Sequence, residues 1–148
     1  MGKAMRVSAT IALGLLATAA CTPAPPLHQV VEFDGDAVRI PFEEVSDGSV
    51  HFFTLVHHGK NVNFLVRTDG LGAQHTHLDA CYACYRYKLG FVVEDSALVC
   101  TACRLEYRLE DEIWDYIGAC APISIHSSLE GNELVIEESI LERAARYF

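Results

Sequence analysis

Cys81-Tyr82-Ala83-Cys84 is followed, fifteen residues on, by Cys100-Thr101-Ala102-Cys103, and sixteen residues after that by Cys120. A Cys-x-x-Cys pair turns the backbone so that both sulfurs and several N–H groups face one point, and two such knuckles joined by a hairpin-sized loop close a four-sulfur site. Thiolate sulfur is a preferred ligand of Zn2+, iron and Cu(I). The spacing therefore predicts a metal centre of Cys81, Cys84, Cys100 and Cys103. It leaves the metal open, because rubredoxin-type iron and structural zinc share this geometry. Phe91-Val92-Val93 and Ala97-Leu98-Val99 flank the acidic turn Glu94-Asp95-Ser96 and read as the hairpin that feeds the second knuckle. Tyr82, Tyr85, Tyr87 and Phe91 cluster around the first, as packing over a small metal site or as a docking face.

Outward from the knuckles the chain is β-prone and punctuated by turns. Val30, Val31 and Phe33 suggest a first strand closed by Asp34-Gly35, and Val38-Arg39-Ile40 a second ended by Pro41, before a turn at Val45-Ser46-Asp47-Gly48. Val50 to Val56 and Val62 to Val66 are strands around a hairpin turn at His57 to Asn61, with Asp69-Gly70 beyond. The short connections predict antiparallel hairpins. His75 to Ala80 delivers the chain to Cys81, while Leu105, Leu109, Ile113 and Trp114 suggest a helical turn or two between Arg104 and Tyr116. Pro122 to Ile125 and Glu133 to Ile136 read as a strand pair around Glu130-Gly131-Asn132. Ser139 then reads as the N-cap of a helix over Ile140 to Tyr147, with Glu142 completing a capping box. The fold class is thus mainly β with a minor α component: antiparallel hairpins, a two-knuckle four-cysteine site and a short C-terminal helix.

Residues 1–20 read as a signal peptide, with Lys3 and Arg6 basic, Ile11 to Ala17 apolar, and Thr18-Ala19-Ala20 small before Cys21. A cysteine at that place predicts cleavage before Cys21 and lipidation of its sulfur. Residues 21–29, with Pro23, Pro25 and Pro26, form an anchored tether, and residues 30–148 a single domain. The apolar run falls short of the ~20 residues of a membrane helix. The expected location is extracytoplasmic, a lipoprotein held to the membrane on the periplasmic side or at the cell surface. With no twin-arginine pair, the leader predicts export of an unfolded chain and metal acquisition outside the cytoplasm. Loss of the leader takes the formal charge from −9 to −11, which argues against nucleic acid as a partner.

Val38-Arg39-Ile40-Pro41, Ser46-Asp47-Gly48 with His51-Phe52-Phe53, Gly59-Lys60 with Val62-Asn63-Phe64, Asp69-Gly70, and Leu78-Asp79-Ala80-Cys81-Tyr82-Ala83-Cys84-Tyr85-Arg86 with Gly90-Phe91 occur in this order. Together with Cys100-Thr101-Ala102-Cys103, Gly118-Ala119-Cys120-Ala121-Pro122 and the closing Tyr147-Phe148, they make roughly residues 37–148 resemble the FtrD-like family, described as membrane iron-sulfur-containing proteins associated with iron transport. The resemblance implies iron or an iron-sulfur cluster as cofactor. It also implies an accessory role in iron uptake or membrane electron transfer, with a membrane protein as partner. Two elements depart from the family pattern: Arg104 stands where Gly is usual after the second knuckle, and Gly118-Ala119-Cys120-Ala121-Pro122 replaces Gly-Gly-Cys-Asn-Pro.

Cys120 is an accessory candidate, as a fifth ligand, an exchanging ligand or a redox partner, against the simpler reading of a buried apolar thiol. His75 and His77 alternate on a strand before Cys81 and form a second accessory set, against the reading of a polar strand face. The acidic run Glu106 to Asp115 reads as a solvated face. Met1 and Met5 lie in the leader, so the exported chain offers no Met for Cu(I) or an axial haem position, and no Cys-x-x-Cys-His occurs. No nucleophile elbow or phosphate-binding Gly loop points to hydrolysis or phosphoryl transfer. Zn2+ is the alternative ion, in a zinc-stabilised, non-redox binding module that recruits a transporter or cytochrome. A thiol-disulfide redox protein is the further alternative.

Overall fold

In a computed structural model of the chain, the structure describes residues 24–110 and 120–148. The leader, Cys21 and the second half of the expected helix before Tyr116 lie outside the described residues. In chain order the strands are β1 (Gln29–Val31), β2 (Ala37–Pro41), β3 (His51–His57), β4 (Lys60–Thr68), β5 (Gln74–Cys81) and β6 (Phe91–Glu94), then β7 (Ala97–Cys100), β8 (Glu106–Arg108), β9 (Pro122–Ser124), β10 (Ser128–Glu130) and β11 (Glu133–Glu137). The helix α1 spans Glu138–Ala144. The fold is mainly β, with the short helix near its C-terminal end.

Two hairpins carry their own explanation. Strands β3 and β4 pair down to His57 opposite Lys60, and the turn residues His58 and Gly59 both take positive φ, 48° and 75°. Strands β6 and β7 close the same way on Asp95 and Ser96, at 44° and 62°. Two consecutive left-handed residues are what a two-residue hairpin needs to match strand twist.

Five strands form the main sheet in the order β1-β3-β4-β5-β9. Alternation along them feeds two separate cores. Phe53 and Leu55 of β3, Val62, Phe64 and Val66 of β4, and Leu78 and Ala80 of β5 point to one side. There they meet Val38 and Ile40 of β2, Leu134 and Ile136 of β11, and Leu141 of α1. Phe52, Leu65 and Cys81, on the same three strands, point to the other side and pack with Phe91, Leu98, Cys100 and Tyr107 of the β6-β7-β8 sheet. The central strand β4 is therefore buried on both faces, with Phe64, Leu65 and Val66 all fully enclosed.

Four expectations are corrected. Strand β1 lies parallel to β3 rather than in a hairpin, because β2 crosses to the second sheet and pairs with β11. Pro122 to Ser124 pairs with β5, not with Glu133 to Ile136; the tight turn after Glu130 instead folds Ser128-Leu129-Glu130 back as the partner of β11. Glu106–Arg108 is strand β8 against β7, not helix, with Tyr107 buried between two exposed neighbours in a period of two. The helix begins at Glu138, upstream of Ser139, because the Glu138 N–H is taken by the Asp36 carbonyl at 2.8 Å. Ser139 Oγ donates to Glu137 Oε2 at 3.4 Å instead of capping.

Candidate metal centre

Both knuckles grow from strand ends. Cys81 closes β5, opposite Pro122 of β9, and is 2% exposed; the chain then turns so that the Cys84 N–H donates to Cys81 Sγ at 3.1 Å. Cys100 closes β7 opposite Phe91 and is also 2% exposed. The Thr101 N–H donates to the Gly90 carbonyl at 3.0 Å, and the Arg104 N–H to the Cys100 carbonyl at 2.8 Å. Arg104 completes this second turn at φ 61°, a left-handed conformation that explains why a glycine suits the position. Its guanidinium grips Glu94 through two bonds of 3.0 and 2.6 Å.

The five sulfurs meet in two overlapping sets. The sulfurs of Cys81, Cys84 and Cys100 lie within 4.8 Å of one another, and so do those of Cys84, Cys103 and Cys120. Cys81 Sγ and Cys100 Sγ are 3.9 Å apart. All five are free thiols. Tetrahedral thiolates about 2.3 Å from an ion stand about 3.8 Å from each other, so the donor set fits a metal held by sulfur after small adjustments. Cys120, expected as an accessory, thus belongs to the cluster by position. Below it, the Tyr107 hydroxyl donates to the Cys120 carbonyl, which ties β8 to the chain entering β9.

His75 and His77 do not join the sulfurs. His75 Nε2 meets the buried Asp69 carboxylate at 2.8 Å, and both histidines line a separate cleft with Ser124 and His126. Asp69 in turn accepts the Leu71 and Ala73 N–H groups at 2.9 Å, which marks this as a structural corner of the hairpin.

Burial pushes the Cys100 thiol up to about 11. Cys84 is raised as well, first by burial and then by hydrogen bonds with the Cys81 and Cys103 thiols. Cys120 is raised by its hydrogen bond with Cys103. Cys103 falls below the ordinary thiol range, first because the Leu105 N–H donates to its sulfur. A cation arriving at this cluster must therefore displace protons from most of its ligands.

Sequence reasoning missed one pair beside the sulfurs. Asp79 lies two residues before Cys81 on β5 and so faces the same side of the sheet. Its carboxylate accepts the Phe91 N–H at 2.6 Å and meets His28 Nε2 at 2.9 Å. Gly90 makes this approach feasible: at φ 61°, a Cβ there would stand 2.5 Å from both Asp79 oxygens. His28 and Asp79, with Cys81, Cys84, Cys100 and Phe91, line a cavity of about 520 Å3. The alternation of Asp79 with Cys81 was a usable signal; His28, 51 residues away and inside the expected tether, gave none.

Residues 45–148 match the family described as Membrane iron-sulfur containing protein FtrD-like. The chain belongs to this family. Neither a curated protein nor a solved structure matches it. Among the described residues no helix is long and apolar enough to cross a membrane.

Proposed function

We infer that this member of the FtrD-like family is an extracytoplasmic metal-thiolate protein, tethered through Cys21 and accessory to iron uptake or membrane electron transfer. Residues 1–20 direct export, residues 21–29 hold the anchor, and residues 30–148 carry the centre. The observation that supports this most directly is the meeting of five sulfurs, four from the two knuckles and one from Cys120 just before β9.

Cys81, Cys84, Cys100 and Cys103 are the ligands this reading assigns. A bound iron or iron-sulfur group supplies a one-electron couple. The chain's own residues set its surroundings: the Cys84 N–H stabilises negative charge on Cys81 sulfur, and Phe52, Leu65, Phe91 and Tyr107 keep water from the buried side. Cys103 is exposed, which brings the centre within reach of a membrane partner.

The test is metal and acid-labile sulfide analysis, with absorption spectroscopy, on protein matured in its own extracytoplasmic compartment. Stoichiometric iron, visible thiolate-to-iron absorption and a reversible one-electron couple are expected. A colourless protein with stoichiometric zinc overturns the redox reading. One observation favours that second reading, a zinc-stabilised binding module: Cys81 and Cys100 are themselves members of the smaller apolar core, so an ion there also closes the fold.

A further inference from the structure

The sulfur count exceeds what one tetrahedral ion takes, and the geometry sorts the excess. Five sulfurs with one shared give three donors to each of two ions. The shared sulfur is Cys84, common to both sets. The two sets differ in setting. Cys81 and Cys100 are buried, and with Cys84 they line the cavity that also holds His28 and Asp79. Cys103 is exposed and Cys120 half-buried, and neither is among the residues lining that cavity. A thiolate has lone pairs enough to bridge two ions, and three thiolates leave each ion a position open for exchange, as at metal sites that handle a ligand rather than merely hold the fold.

We propose that the cluster is two ion sites sharing the Cys84 sulfur: an inner site of Cys81, Cys84 and Cys100 open to the cavity, and an outer site of Cys84, Cys103 and Cys120 at the surface. Each takes a thiophilic ion of the Fe2+, Zn2+ or Cu+ class. The outer site exchanges its ion with solvent or a partner, and Cys84 links it to the inner one by ligand exchange. That exchange moves no electrons: each Cys sulfur bonded to an ion loses its proton to water, and regains one when the ion leaves. The inference rests on the metal-thiolate reading above; it adds Cys120 to the ligands and divides the four knuckle sulfurs between two ions, with Cys103 in the outer site.

The test uses the full chain, reduced and stripped of metal under anaerobic conditions, titrated with cobalt(II) chloride. Native mass spectrometry counts the ions and iodoacetamide alkylation maps the protected thiols. The wild type should bind two Co2+ per chain, with Cys120 protected from alkylation in the two-ion state. Cys120→Ser should bind one, keeping the inner site. A wild type that binds one Co2+ while Cys120 stays fully alkylated overturns the two-site inference and leaves the four-thiolate reading standing. So does a Cys120→Ser variant that still binds two. A chain that binds no Co2+ at all overturns both. The wild-type count and alkylation map decide the matter even where the variant fails to fold.

Discussion

The two faces of the main sheet are covered by cores of different kinds. On one side, aliphatic and aromatic side chains from β2, β3, β4, β5, β11 and α1 enclose one another, and the cluster needs nothing beyond hydrophobic burial. On the other, the core is seven residues, two of them the cysteines Cys81 and Cys100, and the covering sheet has strands of three or four residues. A sheet of such short strands has little to hold it by itself. The contrast separates a scaffold that folds by burial from a cap that, on the metal-thiolate reading proposed above, owes part of its order to what its sulfurs bind.

The sharpest way to break the contrast is to strike the scaffold. Phe64 is fully enclosed and stacks on Phe53 at a ring separation of 5.4 Å. Phe64→Ala should cost about 3–5 kcal/mol in urea unfolding, whatever the metal content. A cost that vanishes in metal-loaded protein would show that the two faces are not independent. Metal removal should act on the other side alone. Chelation is expected to lose amide hydrogen-exchange protection in β6, β7 and β8 while β3, β4 and β5 keep theirs. Uniform loss across both faces, or none anywhere, would dissolve the division.

How far this division was legible in the sequence depends on the range of the interactions. The β3-β4 hairpin announced itself through His58-Gly59, and the knuckles through their spacing, because both signals are local. The parallel pairing of β1 with β3 was not, since it follows from where β2 goes, and β2 is placed by β11 almost a hundred residues later. Strand β8 is three residues long, too short for periodicity to outweigh the helical spacing of Leu105 and Leu109. Cys120 could be counted but not placed, because only the packing of β9 against the end of β5 brings it to Cys84 and Cys103. The His28 and Asp79 pair depends on a different long-range contact, which brings the residue before β1 to β5 across 51 positions.

Smaller perturbations sharpen the picture inside the cap. Gly90→Ala forces a side chain into a left-handed position and against the Asp79 carboxylate. It should cost about 1–3 kcal/mol, and the loss should appear at the Phe91 amide, whose hydrogen bond to Asp79 is displaced. Retained protection at Phe91 would mean that the carboxylate is not what holds the two faces together there.

Arg104→Gly should have the least effect and the opposite sign. The wild-type residue sits at φ 61°, which glycine adopts freely, so the change relieves backbone strain. Against this it removes the Glu94 ion pair, an exposed interaction of small worth. The balance depends on pH. Arg104 holds the Glu94 carboxyl below its ordinary range. The pair therefore stabilises the fold above the unfolded-state value of about 4.3, and that contribution is lost as pH falls through the lower folded-state value. The gain from Arg104→Gly should accordingly be larger in acid, where the wild type has already lost the pair, than at neutral pH. Thermal unfolding of both proteins across that window checks it. A variant less stable than wild type even in acid would mean that Arg104 holds the second knuckle through its side chain rather than tolerating a turn made for glycine.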